Sequence, residues 1–346
     1  MSPATWPRPD SLAERLLVID AATGAVRDEE VRDLVSELRA GDVVVVNDAA
    51  TLPASLPGFV GDAPVELRLL SLVHGQTWHA VLFGEGDWHT RTEHRAPPPR
   101  VAVDDVIAFD GVAARVVEVS LLSPRLLTVC FEAQGAGVLQ ESALWAALYR
   151  IGRPVQYAHV ERDLELWHTQ TAYAARPWAV ELPSAGRPLR WPLLQALRDK
   201  GVDVVTLTHA AGLSSTGDDD IDAALPFPER YDLPQATIDA VVGARARGGR
   251  VIAIGTTVVR ALEGCARDHG GQLVAGVGVT DLKIGPRFQA SWVSALFTGM
   301  HELSSSHFQL LHAFAPAGLL ERAYAHARDR GFTEHEFGDS CLILAA

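Results

Sequence analysis

The stretch Arg250-Val-Ile-Ala-Ile-Gly-Thr-Thr-Val-Val-Arg-Ala-Leu-Glu263 decides the fold. Residues 251–254 form a short continuous apolar run, which is typical of a strand buried on both faces. Gly255 interrupts the run. Apolar residues then return at helical spacing, with Thr256 or Thr257 placed to cap a helix. The stretch therefore predicts a strand, a tight turn and a helix.

The turn at residues 255–257 is also a candidate anion site. The first backbone N–H groups of a helix have no partner within the helix and carry the positive end of its dipole. A carboxylate or phosphate would fit there. On local sequence alone, an ordinary strand-to-helix connection with a threonine cap is the simpler interpretation.

The same alternation of strands and helices extends along the chain on both sides of this stretch. Helical spacing and glycine stops predict helices at 29–40, 140–149, 192–200, 234–247 and 316–330. Apolar runs predict strands at 43–46, 204–208, 288–297 and 337–344. The serines of the segment 301–306 can cap a further helix. This pattern predicts an α/β fold, with a mixed sheet flanked by helices.

Between these parts the pattern changes to short β-rich runs separated by Gly, Pro and Asp turns. They lie at 65–72, 77–83, 105–109, 114–120 and 125–131. Regular short strands of this kind predict a small antiparallel β-barrel or sandwich. We expect an α/β catalytic domain of residues 1–55 and 140–346, and an inserted barrel domain of residues 56–139.

Composition narrows the class of protein. The chain has 346 residues, of which 48% are hydrophobic and 21% charged, as in a globular protein with sizeable cores. Its formal net charge of −13 offers no general attraction for nucleic acid, so any RNA contact needs a local basic patch. The three cysteines have no C-x-x-C spacing, and no apolar run is long enough to span a bilayer. We expect a cytoplasmic protein without membrane contact.

Polar loops lie between the regular elements. Asn47 and Asp48 end a predicted buried strand, where α/β folds place ligand contacts, although Asn-Asp is also common in turns. The segments 154–157, 168–174 and 177–189 are rich in Pro, Gly and aromatic residues and suit a rigid loop wall around a pocket. Residues 218–220 are three aspartates, most simply a solvated loop.

Several of these stretches together resemble one family. They are Val45-Val-Asn-Asp48 with Leu52-Pro-Ala54, Gln170-Thr-Ala-Tyr-Ala174 with Pro183-Ser-Ala-Gly186, Ala253 to Glu263, Thr298-Gly-Met-His301, and Phe337-Gly-Asp-Ser-Cys-Leu-Ile343. In order and spacing they resemble the S-adenosylmethionine:tRNA ribosyltransferase-isomerase family of queuosine biosynthesis, over nearly the whole chain. The family's α/β domain with an inserted β-barrel agrees with the pattern above.

The resemblance implies a transferase and isomerase that uses S-adenosylmethionine as ribosyl donor. The acceptor it implies is 7-aminomethyl-7-deazaguanine in tRNA, with epoxyqueuosine-tRNA, adenine and methionine as products. Some segments depart from the family pattern. Arg187-Pro188 replaces Leu-His, and Glu302-Leu303 replaces Leu-Pro after His301. Because of these departures, two alternatives stay open: a related enzyme acting on a small-molecule acceptor, and a non-catalytic RNA- or nucleotide-binding module.

The reaction implied needs a base for the proton on C5′ beside the sulfonium, help for departing adenine, and a place for the acceptor amine. Histidines and partly buried carboxylates can supply such groups, because burial moves their pKa toward neutrality. The candidates are His209 and His301 as acid or base and Asp339 as a ligand of ribose hydroxyls or the methionyl ammonium. Each has a structural alternative, as a core histidine or a turn residue.

The residues expected to bind substrate come from the same matching segments and their neighbours. They are Asn47, Asp48, Gln170, Tyr173, Pro183, Ser184, Gly186, Glu229, Tyr231, Gly255, Thr256, Thr257, Arg260 and Gly338. We assign Gly255, Thr256 and Thr257 to the methionyl carboxylate, with Arg260 as its charge partner. No metal is predicted, because the sulfonium already activates the substrate and His301, His307 and His312 lack a ligand spacing.

Overall fold

The computed structural model describes residues 1–134, 139–303 and 305–345. Its strands are β1 (Ser2–Pro3), β2 (Arg15–Asp20), β3 (Ala25–Glu30), β4 (Val43–Asn47), β5 (Ala49–Thr51), β6 (Ser55–Val60), β7 (Ala63–His74), β8 (Thr77–Phe83), β9 (Val106–Ala108), β10 (Val112–Val119), β11 (Leu126–Ala133), β12 (Arg176–Ala179), β13 (Asp203–His209), β14 (Glu229–Leu233), β15 (Val251–Ile254), β16 (Gly276–Thr280), β17 (Ala295–Gly299), β18 (Thr333–Glu334) and β19 (Ser340–Leu344). Its α-helices are α1 (Leu34–Glu37), α2 (Glu141–Ile151), α3 (Trp191–Asp199), α4 (Asp219–Ala224), α5 (Gln235–Ala246), α6 (Thr256–Asp268), α7 (Ser306–Leu311) and α8 (Ala317–Asp329).

A large mixed sheet forms the centre of the α/β part. Its strand order is β16-β14-β13-β4-β15-β17-β19-β2-β3. The four central strands β13, β4, β15 and β17 run parallel, while β14 and β19 pair antiparallel on either side of them. Helices α5, α6 and α8 pack on one face of the sheet, and α1 and α3 pack on the other. The predicted α/β class with a flanked mixed sheet is confirmed.

The inserted β-rich segment closes into a barrel. Its strands follow the order β10-β11-β8-β7-β6-β9, all paired antiparallel, around a separate apolar core. The predicted barrel is therefore confirmed. The exact division at residues 56–139 stays a prediction, because β6 already begins at Ser55 and pairs there with Arg153.

Three predicted elements are wrong in extent. The strand expected at 337–344 begins only at Ser340, and in the other two, distant groups satisfy the backbone. Residues 29–40 were expected to be one helix, but Glu29 and Glu30 pair with β2, and only the four residues of α1 are α-helical. Residues 288–297 were expected to be a strand, but β17 begins only at Ala295. The Glu263 carboxylate accepts the N–H groups of residues 291–293 and takes the place of a strand partner.

The three aspartates at 218–220 are also not a solvated loop. Asp218 is the N-cap of α4: its carboxylate accepts the N–H of Ile221 at 3.2 Å and the hydroxyl of Ser123 at 2.7 Å. It therefore links the α/β part to a barrel loop. A serine cap is confirmed for α7, where Ser305 accepts the N–H of Phe308; Ser304 lies outside the described residues. None of the described helices is long and apolar enough to cross a membrane.

Candidate functional site

The ends of the parallel strands bring distant polar residues to one edge of the sheet. β4 ends at Asn47, β13 at His209, β15 just before Gly255, and β17 shortly before His301. β14 runs the other way, so Glu229 at its start also lies at this edge. The carboxyl ends of parallel strands are where open α/β sheets bind ligands. This edge is therefore the candidate active site.

Asn47 holds three elements of this edge together. Its Oδ1 accepts the N–H groups of His209 at 2.9 Å and Ala49 at 3.1 Å. Its Nδ2 donates to the His209 carbonyl at 3.0 Å and to Thr257 Oγ1 at 3.3 Å. An asparagine amide offers two acceptor positions and two donor hydrogens, and all four are used on the protein. Asn47 thus positions the site, and its contact with substrate stays a prediction.

Glu229, Arg260 and His209 form a buried ionisable cluster. Glu229 Oε2 pairs with Arg260 Nη1 and lies 3.5 Å from His209 Nε2, while Oε1 accepts the Gly212 N–H at 2.8 Å. Burial raises the pKa of Glu229, against the opposing charge of Arg260. Burial, and then Arg260, lower the pKa of His209 well below its ordinary value. His209 is therefore a neutral imidazole, and its contact with Glu229 is not an ion pair.

Several polar atoms of this cluster make no hydrogen bond within the described part of the chain. Both ring nitrogens of His209 and Nη2 of Arg260 are buried without a hydrogen-bond partner among the described residues. Buried polar atoms of this kind are rare in folded proteins and call for an explanation, such as a missing ligand or water. Arg260 was predicted to be a charge partner of a substrate carboxylate. Its Nη1 is taken by Glu229 and its Nε by the Leu282 carbonyl, so only Nη2 is available.

A second histidine site follows β17, on the opposite side of β15 from β4 and β13. The ring of His301 is nearly parallel to that of His307, with centroids 5.2 Å apart, and its Nε2 lies 2.8 Å from Thr298 Oγ1. Burial, followed by the nearby His307, lowers the pKa of His301 well below its ordinary value. The pKa of His307 is lowered by burial and then by the charge of Arg260. His301 is partly exposed, whereas His209 is fully buried.

The start of α6 is an open helix terminus. Gly255 is its N-cap at φ +89°, and because glycine has no side chain, the N-cap residue makes no capping hydrogen bond. The predicted threonine cap is therefore wrong, because Thr257 Oγ1 instead accepts from Asn47. Thr256 is mostly buried in the first turn. An uncapped terminus leaves its first N–H groups free for an anion.

The segment 183–186 forms the wall opposite this turn. Pro183 precedes a short 3₁₀ turn of Ser184–Gly186, and the Cβ of Ala185 lies 3.4 Å from where a side chain on Gly255 would begin. Tyr173 donates to the Gly186 carbonyl at 3.3 Å, and a Cβ on Gly186 would lie 2.2 Å from the Tyr173 hydroxyl. A side chain at position 186 would therefore displace the Tyr173 hydroxyl. Burial and the neighbouring Asp48 raise the pKa of Tyr173.

Other predicted substrate contacts are engaged with the protein. The Gln170 side chain pairs with both backbone groups of Thr51, and Asp48 accepts the Thr208 hydroxyl at 2.5 Å. Tyr231 lies in the core, where its ring packs against Gly278 and Cys265. It follows Glu229 by two residues, so it points to the same face of β14 but lies further from the edge. The structure does not bring Tyr231 to the edge.

Asp339 is fully buried, and each of its two carboxylate oxygens accepts two hydrogen bonds. Its Oδ1 accepts from Arg8 at 2.5 Å and from the Arg15 N–H at 3.1 Å. Its Oδ2 accepts from the Thr333 N–H at 2.7 Å and hydroxyl at 3.0 Å. The preceding Gly338 has no room for a Cβ, which would lie 2.6 Å from the Glu334 backbone. The structure gives Asp339 the role of joining the two ends of the chain, and its contact with substrate stays a prediction.

The structure contains a buried ion pair that was not predicted from the sequence. Arg187 pairs with Glu14, 173 positions earlier, and lies over the ring of Phe337. Burial raises the pKa of Glu14, and Arg187 opposes that rise. In the sequence, the only indication of this pair is that Arg187 departs from the family pattern.

A cavity of about 390 Å³ lies between the barrel and the sheet. Trp78 and Leu126 line it from the barrel, and Trp178 and Phe227 line it from the α/β part. It is mostly apolar, and Glu229 forms part of its wall. The cavity therefore connects the ionisable cluster with the barrel.

The fold is a flanked mixed sheet with an inserted barrel. At the sheet edge, neutral His209 lies beside a buried carboxylate–guanidinium pair, and His301 lies in a second site. These features define an enzyme-like α/β protein with ionisable groups at a candidate substrate site. The model of the family described as queuosine biosynthesis protein matches residues 2–343. The chain belongs to this family.

Similar proteins extend over the same length. The chain is 34% identical over 338 residues to an S-adenosylmethionine:tRNA ribosyltransferase-isomerase of Gluconacetobacter diazotrophicus, covering 96% of this chain and 90% of that protein. It is 31% identical to the protein of that name from Parvibaculum lavamentivorans, covering 96% and 92%. The crystal structure of S-adenosylmethionine tRNA ribosyltransferase from Thermotoga maritima superimposes with a TM-score of 0.54 at 24% identity, covering 99% and 96%, and supports the fold.

Proposed function

We propose that the chain transfers and isomerises the ribosyl part of S-adenosylmethionine onto 7-aminomethyl-7-deazaguanine in tRNA. The products are epoxyqueuosine-tRNA, adenine and methionine. Membership of the family over residues 2–343 carries this proposal. The ionisable groups at the sheet edge supply the kinds of residue that the reaction requires.

The open start of α6 is the proposed site of the methionyl carboxylate. Its free N–H groups and the helix dipole favour a negative group, and Gly255 lets the backbone approach closely because it carries no side chain. The wall of residues 183–186 would enclose this end of the donor. Arg260 Nη2 offers a further donor nearby on the same helix.

His301 is the proposed group that exchanges a proton with the substrate. It is neutral at pH 7, because its pKa is lowered, so it can accept a proton, and it is partly exposed so that a ligand can reach it. His209 has no solvent access and lies against Glu229 and Arg260. We propose that His209 influences the protonation of that pair. Asn47 would fix the position of His209 relative to α6.

The cavity between barrel and sheet is the proposed site of the acceptor base. Its aromatic and aliphatic wall suits the flat face of a deazapurine. Glu229, also in the wall, can accept a hydrogen bond from the aminomethyl group of that base. Placing the acceptor there puts its amine beside the ionisable cluster. The barrel would then contribute to substrate recognition.

The test is chromatographic detection of adenine and methionine after incubating the protein with S-adenosylmethionine. We expect both products only when tRNA carrying 7-aminomethyl-7-deazaguanine is present, and His301→Asn should abolish their release. His326→Asn is a matched control, because this histidine contacts Asp28 on the surface. Release with a small-molecule acceptor instead of tRNA would reassign the acceptor. No release by folded protein would favour a non-catalytic binding module.

A further inference from the structure

A second group of histidines and carboxylates lies next to His301, outside the cluster at Glu229. His159 Nε2 lies 2.9 Å from Glu336 Oε2, and His335 Nε2 lies 3.3 Å from Glu302 Oε1. The rings of His159 and His335 are stacked, with centroids 4.3 Å apart. One ligand atom from each of His159, His335 and Glu336 lies within 4.8 Å of the others. Two segments far apart in the chain, at 159 and at 335–336, therefore converge on one point.

These side chains form a donor set suited to a transition metal. Imidazole nitrogen together with carboxylate oxygen is a common ligand set for Zn²⁺, with bond lengths of about 2.0–2.2 Å. Ligand atoms around a tetrahedral Zn²⁺ are therefore about 3.3 Å apart. The two observed contacts, at 2.9 and 3.3 Å, are close to that separation. Small side-chain rotations would bring the donors around one ion.

The backbone at His335 supports a built site. His335 has φ +70°, a left-handed conformation that costs a residue with a side chain about 1–2 kcal/mol. The Gly338 N–H bonds to its carbonyl at 3.0 Å and holds the turn. In this conformation the ring lies between His159 on one side and Glu302 on the other. Strain that the surroundings maintain is often associated with function.

Glu302 gives an independent indication. It directly follows His301, at a position where the resemblance leads us to expect leucine, and its carboxylate faces His335. The departure therefore places a carboxylate beside His335, one of the three residues that meet there. The side chains of His159 and Glu336 are 14% and 22% exposed, whereas those of His335 and Glu302 are 30% and 54% exposed, so an ion held there would be open to water on the Glu302 side.

We propose that His159, His335 and Glu336 bind one Zn²⁺ or similar divalent transition-metal ion, with Glu302 as a fourth ligand. The ion would join the loop after α2, the His301 segment and the turn before β19. It takes no part in the ribosyl transfer proposed above, which needs no metal. Ordinary histidine–carboxylate hydrogen bonds are the competing explanation.

The test is metal titration of the full chain after treatment with a chelator. We expect one equivalent of Zn²⁺ to bind by calorimetry, Co²⁺ to give the visible absorption of a tetrahedral site, and the thermal midpoint to rise on binding. His335→Asn should weaken binding at least about tenfold, because metal affinity depends on each ligand. Asparagine tolerates the left-handed backbone, so this variant should fold.

His159→Gln and Glu336→Gln provide a second measurement that does not alter the turn conformation. Each should also weaken binding, and each should melt like the chelated wild-type protein. His326→Asn is the matched control, because His326 contacts Asp28 at 2.7 Å without a third ligand, and it should bind like wild type. The proposal is overturned if the wild type shows no saturable binding, or if the ligand variants bind as it does.

Discussion

At the scale of single residues, Thr298 is the neighbour that orients His301. Its hydroxyl lies 2.8 Å from His301 Nε2 and fixes which ring nitrogen faces away from the strand. We predict that Thr298→Val lowers kcat about tenfold with little change in KM for S-adenosylmethionine, because hydrogen bonds that orient a reacting histidine are worth roughly that much. Thr298→Ser keeps the hydroxyl and should retain most of the activity. Steady-state adenine release measures both variants, and an unchanged kcat in Thr298→Val would remove Thr298 from the mechanism.

His209 predicts a pH dependence of stability. Its folded pKa is lowered by burial and then by Arg260, whereas a histidine in the unfolded chain titrates near pH 6.5. Below about pH 6.5 the unfolded state therefore binds a proton that the folded state does not. The free energy of unfolding should therefore decrease as the pH is lowered below about 6.5. His209 should contribute up to about 1.4 kcal/mol to this decrease per pH unit. Urea unfolding at several pH values measures the slope, and His209→Gln should reduce it by about one proton. An identical slope would show that His209 is protonated when folded.

The sequence locates residues at the site better than it predicts their bonding. Polar residues after buried strands indicated Asn47, and a resemblance indicated His209 and His301. It could not show that Asp339 is saturated by Arg8, Arg15 and Thr333, because those partners come from both ends of the chain. The pairing of Arg260 with Glu229 was hidden for the same reason. Contacts between distant residues depend on the fold and leave no local pattern.

At the scale of secondary-structure elements, Gly255 at the start of α6 can be tested against a glycine elsewhere. Gly255 has φ +89° at the proposed carboxylate site, and Gly24 has φ +72° in the β2–β3 hairpin. We predict that Gly255→Ala and Gly24→Ala each lose about 1–3 kcal/mol of stability, because both force an alanine into a positive-φ backbone, which for Gly255 combines φ +89° with ψ +155°. Only Gly255→Ala should weaken S-adenosylmethionine binding, measured by calorimetry. Equal affinity in both variants would place the donor carboxylate elsewhere.

The predicted elements were accurate where local signals suffice. The apolar run 251–254 matches β15 at both ends, and 77–83 matches β8 likewise. Both have clear turn residues at their borders. The helix expected at 29–40 was wrong because pairing of Glu29 with Leu16 in β2 outweighs helical periodicity. β14 and β16 were missed because each has only two apolar residues in five, and β16 is the edge strand that β14 separates from β13.

At the scale of the whole molecule, the barrel and the sheet enclose a space that neither would form alone. Barrel residues such as Trp78 form one wall, and Trp178 and Phe227 form the other. Arg230 lies over the ring of Trp178, with its guanidinium carbon 3.8 Å from the centroid, and helps fix this wall. The sequence predicted the barrel, but it could not predict this cavity because the cavity depends on how the two parts pack. A ligand in the cavity would contact both parts at once.

Trp178→Leu tests which substrate occupies this cavity. If the acceptor base lies there, losing the indole should raise KM for the modified tRNA about tenfold or more, since base–aromatic stacking is worth about 1–3 kcal/mol. The dissociation constant for S-adenosylmethionine should stay within about twofold of the wild-type value. Trp191→Leu is the control, because Trp191 is 55% exposed on α3 and does not line the cavity. Weaker S-adenosylmethionine binding with unchanged KM for tRNA would instead place the adenine of the donor between the barrel and the sheet.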